Sequence, residues 1–139
     1  MKGAIFDASA LVKLVHAEPG TPAAVTAFGE CSSQPMAPDW ALLECAQALW
    51  RKTRAGDLTA EQALRRHEAL ETIGLNLIES AVHGGTALSL ALALRHPVYD
   101  CAYVALALAE DAALVTADAR QREVAEAAGV DVVWIDSSR

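Results

Sequence analysis

The sequence predicts an α/β fold built on a parallel sheet, and three observations lead there. Short β-like runs alternate with longer helical ones along the chain, the pattern of strand–helix–strand units. Hydrophobic residues make up 53% of the 139 residues but aromatics only 5%, so Ala and Leu, both strong helix formers, fill much of the apolar share. No internal repeat and no Gly/Ser-rich linker divides the chain, whose length suits one compact domain over residues 1–139.

The first strand is expected over Lys2–Phe6, followed by a helix over Ser9–His16 and a turn at Glu18-Pro19-Gly20. Thr21-Pro22 reads as an N-cap with Pro in the first helical position, opening a helix to Glu30. A second strand over Gln34–Ala37 is weak because Pro35 interrupts it. Asp39 is placed to cap a long helix over Trp40–Ala55 that Gly56 closes. Thr59-x-x-Gln62 is a capping box, in which each end's side chain satisfies the other's backbone N–H, opening a helix to Glu71. Leu75–Ile78 is a candidate strand. Ser80–Leu94 has helical composition, but Gly84-Gly85 predicts a frayed or kinked start, each Gly costing about 1 kcal/mol against Ala in a helix interior. After Pro97, Val98–Ala109 is apolar on nearly every side and is expected to be a buried helix. A strand over Ala113–Thr116, a helix over Ala119–Ala128 ended by Gly129, and a last strand over Val130–Ile135 complete the chain.

Composition narrows the function classes. A formal net charge of −7 argues against a general nucleic-acid coat, which needs a basic surface. It leaves room for a nuclease, because bound cations restore local attraction for phosphate over acidic ligands. The same acidity suits a basic protein partner. Cys31, Cys45 and Cys101 are widely spaced, with no zinc-like clustering, and read as thiols packed as small hydrophobes. No apolar run reaches membrane-spanning length; the one over 86–94 is closed by Arg95. The start of the chain lacks a signal peptide's long apolar stretch, so the expected location is cytoplasmic.

The chemistry points to acids. Asp7 directly follows the first strand, Asp118 comes two residues after the Leu114-Val115-Thr116 run, and Asp100 lies in the opening turn of the apolar helix. Ligands of open α/β sheets bind beyond the carboxyl ends of the strands, where Asp7 and Asp118 meet if their strands are parallel neighbours. Each acid also suits a helix N-cap or first turn, so cap and site both stand as readings. Asp100 is the sharper case, since a carboxylate in an apolar helix must find a partner or lose its charge. Glu44 points away from the apolar stripe Leu42, Cys45, Ala46, Leu49 and Trp50, beside Gln47 and Arg51, and periodicity alone leaves it solvated. Small Ala41 and Ala48 beside it leave room for close approach. Converging carboxylates repel, and a hard divalent cation, Mg²⁺ or Mn²⁺, relieves that repulsion. Such an ion lowers the pKa of bound water and polarises a phosphoryl oxygen, which implies phosphodiester hydrolysis.

Four segments together resemble the PIN-domain family, in particular the VapC-like toxin ribonucleases of bacterial toxin–antitoxin pairs. They are Ile5-Phe6-Asp7-Ala8-Ser9-Ala10-Leu11-Val12-Lys13-Leu14; Leu42-Leu43-Glu44-Cys45-Ala46-Gln47-Ala48-Leu49; the most specific, His96-Pro97-Val98-Tyr99-Asp100-Cys101-Ala102-Tyr103-Val104-Ala105-Leu106-Ala107; and Leu114-Val115-Thr116-Ala117-Asp118. The resemblance implies a three-layer α/β/α sandwich around a mainly parallel sheet of four to five strands. It implies that Asp7, Glu44, Asp100 and Asp118 form an acidic pocket for Mg²⁺ or Mn²⁺, which reverses the solvated reading of Glu44. It further implies RNA as substrate, homodimerisation and a cognate antitoxin partner. Ser9 becomes a candidate either to cap the first helix or to hold a metal-bound water, and Thr116 either to orient Asp118 or to pack in its strand. Arg51, Arg120 and, with less support, Lys13 are candidates for RNA backbone contact.

Rival readings fare less well. A haloacid-dehalogenase-type phosphatase wants a second Asp two residues after the first, where this chain has Ser9. A receiver domain wants paired acids after the first strand and a late-strand Lys, and a P-loop NTPase wants G-x-x-x-x-G-K-[ST]; none is present. A PIN-like module that binds RNA or protein without cutting remains the alternative.

Overall fold

A computed structural model describes residues 3–138. Among these residues, five strands are interspersed with seven α-helices: β1 (Ala4–Phe6), α1 (Ala8–Val15), α2 (Thr21–Gly29), β2 (Met36–Pro38), α3 (Ala41–Arg54), α4 (Ala60–Leu70), β3 (Asn76–Ile78), α5 (Gly84–Leu94), α6 (Val98–Ala109), β4 (Ala113–Thr116), α7 (Ala119–Ala127) and β5 (Val132–Trp134). The sheet order is β3-β2-β1-β4-β5, and each neighbouring pair is parallel. Helices α1–α4 pack on one another, and α5–α7 form a second group. Connections leading from β1 outward through β2 to β3 run opposite to those reaching β4 and β5. Right-handed crossovers therefore put the two helix groups on opposite faces. The α/β/α sandwich is thus present, with a five-stranded, all-parallel sheet among the described residues.

A parallel sheet covered on both faces needs strands that are apolar throughout. The central pair supplies them: Ile5, Phe6, Leu114 and Val115 are fully buried, and α1 and α6 both pack against this pair of strands.

Several boundaries differ from the sequence reading, each for a local reason. Lys2, expected to begin the first strand, lies outside the described residues. The N-cap of α1 is Asp7 rather than Ser9, which sits inside the helix. Gly20, in a left-handed conformation at φ 94°, precedes α2, so Thr21 is a helical residue. The Thr21 hydroxyl instead donates to the Lys13 carbonyl and accepts from the Glu18 N–H. The second strand is shifted to Met36–Pro38. Its bonds toward β3 run from Asn76 N–H to the Pro35 carbonyl and from Asp39 N–H to the Ile78 carbonyl, and Pro38, which has no N–H, falls between them. Because the Asp39 backbone is still engaged with β3, α3 begins after Trp40, and Asp39 does not cap it.

The capping box of Thr59 and Gln62 forms in both directions. The glycine-weakened helix start resolves into a 3₁₀ turn at Ala81–His83 followed by α5, placing Gly84 and Gly85 in the first turn, where intrahelical N–H bonds are absent anyway. Helix α6 is buried along Cys101 and Tyr103–Ala107, but Tyr99 is 69% exposed, so its ends are more open than an all-round apolar helix suggests. The three cysteines are free thiols, two of them buried. No helix among the described residues is long and apolar enough to cross a membrane.

Candidate active site

The sheet reverses its winding direction between β1 and β4, and the site lies beyond the carboxyl ends of these two strands. Asp7 continues β1, its N–H donating to the Val115 carbonyl at 3.1 Å. Its side chain then turns to cap α1, Oδ1 accepting from Ala10 N–H at 3.1 Å and from the Ser9 hydroxyl at 2.6 Å. Oδ2 accepts from the Thr116 hydroxyl. Ser9 and Thr116 in turn accept, at 2.9 Å each, from the N–H groups of Ala117 and Asp118. Two hydroxyls thus tie the first acid to the β4–α7 connection that carries the last. Asp7 is only 2% exposed. Burial pushes its carboxyl up to about 6, with Asp118 adding to the rise and the three hydrogen bonds opposing it.

Asp118 caps α7 through a 2.8 Å bond from Arg120 N–H. Cap and cleft are therefore compatible roles for both Asp7 and Asp118. Asp100 sits in the first turn of α6. Its carboxyl is raised by burial and by Asp118, against the opposing charges of Arg120 and His96. Its Oδ2 is buried and has no hydrogen-bond partner.

Glu44 is half-buried on α3, not solvated, and accepts from the Tyr103 hydroxyl at 2.9 Å. Burial raises its carboxyl; Asp100 and Asp118 add to that, while Tyr103 and Arg51 oppose it. The helical wheel placed it correctly, beside Gln47 and Arg51, but this side of α3 faces a cleft rather than open water.

All four acids line that one cleft, of about 410 Å³, together with Arg51 and Arg120. Ala8 and Ala48 keep the floor open, and Gln47 and Gln121 complete the wall. Lys13 is not brought to it. Its side chain is nearly buried and its ammonium is held by the Glu18 carboxylate at 3.2 Å and the Pro19 carbonyl at 2.8 Å. Sequence reasoning missed Tyr103 and Gln121. Tyr103 lies three residues after Asp100, hence on the same side of α6, and that spacing was the available signal.

The donor set suits a hard cation: four carboxylates that repel one another, one with an unsatisfied buried oxygen. Among the described residues, no three acidic, His or Cys side chains already stand close enough to grip one ion directly. Mg²⁺ usually keeps several waters and binds one or two carboxylates, so the cleft fits an ion held partly through water.

The PIN domain family matches over residues 4–127, nearly the whole chain. The chain belongs to the PIN domain family. PIN domains are typically metal-dependent nucleases. This PIN domain also superposes on solved structures at low sequence identity. PAE2754 from Pyrobaculum aerophilum has a TM-score of 0.72 and 20% identity, covering 95% of this chain and 90% of that one. VapBC2 from Rickettsia felis, bound to a DNA fragment from its promoter, has a TM-score of 0.68 and 12% identity over 96% and 99%. The sarcin–ricin-loop-cleaving toxin VapC20 of Mycobacterium tuberculosis has a TM-score of 0.68 and 15% identity over 91% and 95%. At these identities the likeness speaks to the fold. No curated protein matches the sequence.

Proposed function

We propose that this PIN domain, spanning residues 1–139, is a Mg²⁺- or Mn²⁺-dependent ribonuclease acting in the cytoplasm as the toxin of a toxin–antitoxin pair. The observation that carries the reading is the convergence of Asp7, Glu44, Asp100 and Asp118, from four different parts of the chain, on one cleft flanked by Arg51 and Arg120.

The four acids would hold the cation, which supplies an activated water and polarises the scissile phosphate. Asp7, fixed by three donors, is the rigid member. The exposed side chains of Arg51 and Arg120 stand at the cleft to take the phosphates on either side of the cut. Ser9 and Thr116 fix the Asp7 carboxylate and brace it against the Asp118 backbone.

The toxin role and the antitoxin partner draw on the VapBC2 and VapC20 folds. A protein partner also suits the exposed Leu43, Trp50 and Leu64 of α3 and α4, and exposed Leu88, Leu92 and Tyr99 offer a second apolar face for a homodimer.

The test is RNA cleavage by the purified protein, free of any partner, with Mn²⁺ or Mg²⁺ and with chelator. Cleavage is expected only with metal and is expected to vanish in Asp7→Asn and Asp100→Asn. Robust cleavage by Asp100→Asn refutes the four-carboxylate reading. Wild-type protein that never cleaves but binds a small basic partner tightly is instead a non-catalytic interaction module.

A further inference from the structure

Glu44 needs something to hold it where it is. The buried residues of α3 are Ala41, Cys45 and Leu49, and Glu44 lies off that line. Its side chain has three rotatable bonds and a neighbourhood that on balance pushes it out: burial and the charges of Asp100 and Asp118 disfavour its carboxylate in the cleft and outweigh the opposite charge of Arg51. An unrestrained glutamate there would swing toward solvent.

The restraint comes from α6. The Tyr103 hydroxyl donates to Glu44 Oε1 at 2.9 Å. This donor is itself immobile: Tyr103 is fully buried, and its ring meets Trp40 edge-on, with centroids 4.9 Å apart at 67°. Trp40 is anchored in turn by its indole N–H to the Ser80 hydroxyl at 2.7 Å. A Phe would fill the same space, and a buried phenol brings a hydroxyl that must find a partner. That partner is an acid of the cleft. Tyr103 also stands three residues after Asp100, so one turn of α6 carries an acid and the tether for another.

We propose that Tyr103 is a positioning residue for Glu44, its buried hydroxyl holding that carboxylate in the cleft against the repulsion of Asp100 and Asp118, in place for a divalent cation. The inference rests on the reading of the cleft as a cation site. It explains how a residue on the polar side of its helix becomes part of the site: the partner arrives from another helix, 59 positions along the chain.

The experiment is a calorimetric Mn²⁺ titration of the full chain in four forms: wild type, Tyr103→Phe, Glu44→Gln and the double variant. Thermal unfolding without metal is recorded for each to confirm folding. Tyr103→Phe removes one oxygen and keeps the ring on Trp40. It is expected to weaken Mn²⁺ binding by about tenfold, the usual size of an outer-partner effect on metal affinity. In the Glu44→Gln background the same change is expected to cause no further loss, because the hydroxyl acts through the Glu44 carboxylate. Wild-type affinity in Tyr103→Phe, or an equal loss in both backgrounds, overturns the proposal and leaves the cation-site reading standing. Wild-type protein that binds no Mn²⁺ overturns both.

Discussion

Asp7→Asn is expected to make the folded protein more stable at neutral pH while abolishing the proposed RNA cleavage. In the fold, Asp7 is buried and its carboxyl rises from 3.8 to about 6. At 1.36 kcal/mol for each pKa unit, holding the ionised form in this site costs about 3 kcal/mol relative to the neutral form. An acid with a raised folded pKa contributes its full stability below the unfolded value of 3.8 and loses it as the pH rises through about 6. Asn has nearly the same shape and no charge. Its Oδ1 keeps the bonds from Ala10 N–H and Ser9, but its NH₂ replaces the acceptor of the Thr116 hydroxyl, which must turn to receive rather than donate. That rearrangement costs about 1 kcal/mol, leaving a net gain of roughly 1–2 kcal/mol at pH 7.5. The assay is urea unfolding of wild type and Asp7→Asn in chelator at pH 4.5 and pH 7.5. The gain should be present at the higher pH and absent at the lower. A variant less stable than wild type at pH 7.5, or a gain equal at both values, refutes the argument that burial dominates the energetics of Asp7.

Two further stability predictions follow from charged and polar groups beyond the four acids. Glu18→Gln should cost about 1–3 kcal/mol in thermal unfolding at pH 7, because Glu18 joins Lys13 at 3.2 Å and Lys52 at 2.6 Å through its two oxygens, and a neutral amide offers one acceptor oxygen, so one ammonium loses its side-chain acceptor and both lose the opposite charge. Burial raises the Glu18 carboxyl, but the bonds and charges of Lys52 and Lys13 outweigh it and hold it below 4.5, so its contribution is present above that value and fades as the pH falls through the lowered one. A neutral result at pH 7 would show that water replaces the carboxylate at no cost. Gln121→Met should raise stability by about 1 kcal/mol, since the buried Gln121 Oε1 has no hydrogen-bond partner and Met fills similar volume without a polar group to satisfy. A loss of stability in the same unfolding assay would mean that the amide is satisfied within the fold.

The sequence alone determined the fold class and put forward three of the cleft's acids as candidates, because both depend on short-range signals. The alternation of strand and helix is written in local periodicity, and the Thr59–Gln62 capping box formed as read. Asp7 and Asp118 were legible because a residue just past a parallel strand stands at the sheet's carboxyl edge wherever the rest of the chain goes. Asp100 was legible because a carboxylate in an apolar helix needs a reason to be there. The caps expected at Thr21 and Asp39 show the limit of that logic: each residue had a suitable side chain, but a neighbouring strand or turn had already claimed its backbone or hydroxyl.

Only the tertiary structure decided what the polar faces meet. Lys13 is drawn to Glu18 and the Pro19 carbonyl across the α1–α2 turn, away from the cleft. Glu44 faces Tyr103 of another helix and the other acids instead of open water. A helical wheel reports which side of a helix is polar, but whether that side meets solvent or a charged cleft depends on where the sheet brings the next helix. That is fixed by strand order and packing, which no local window of sequence contains.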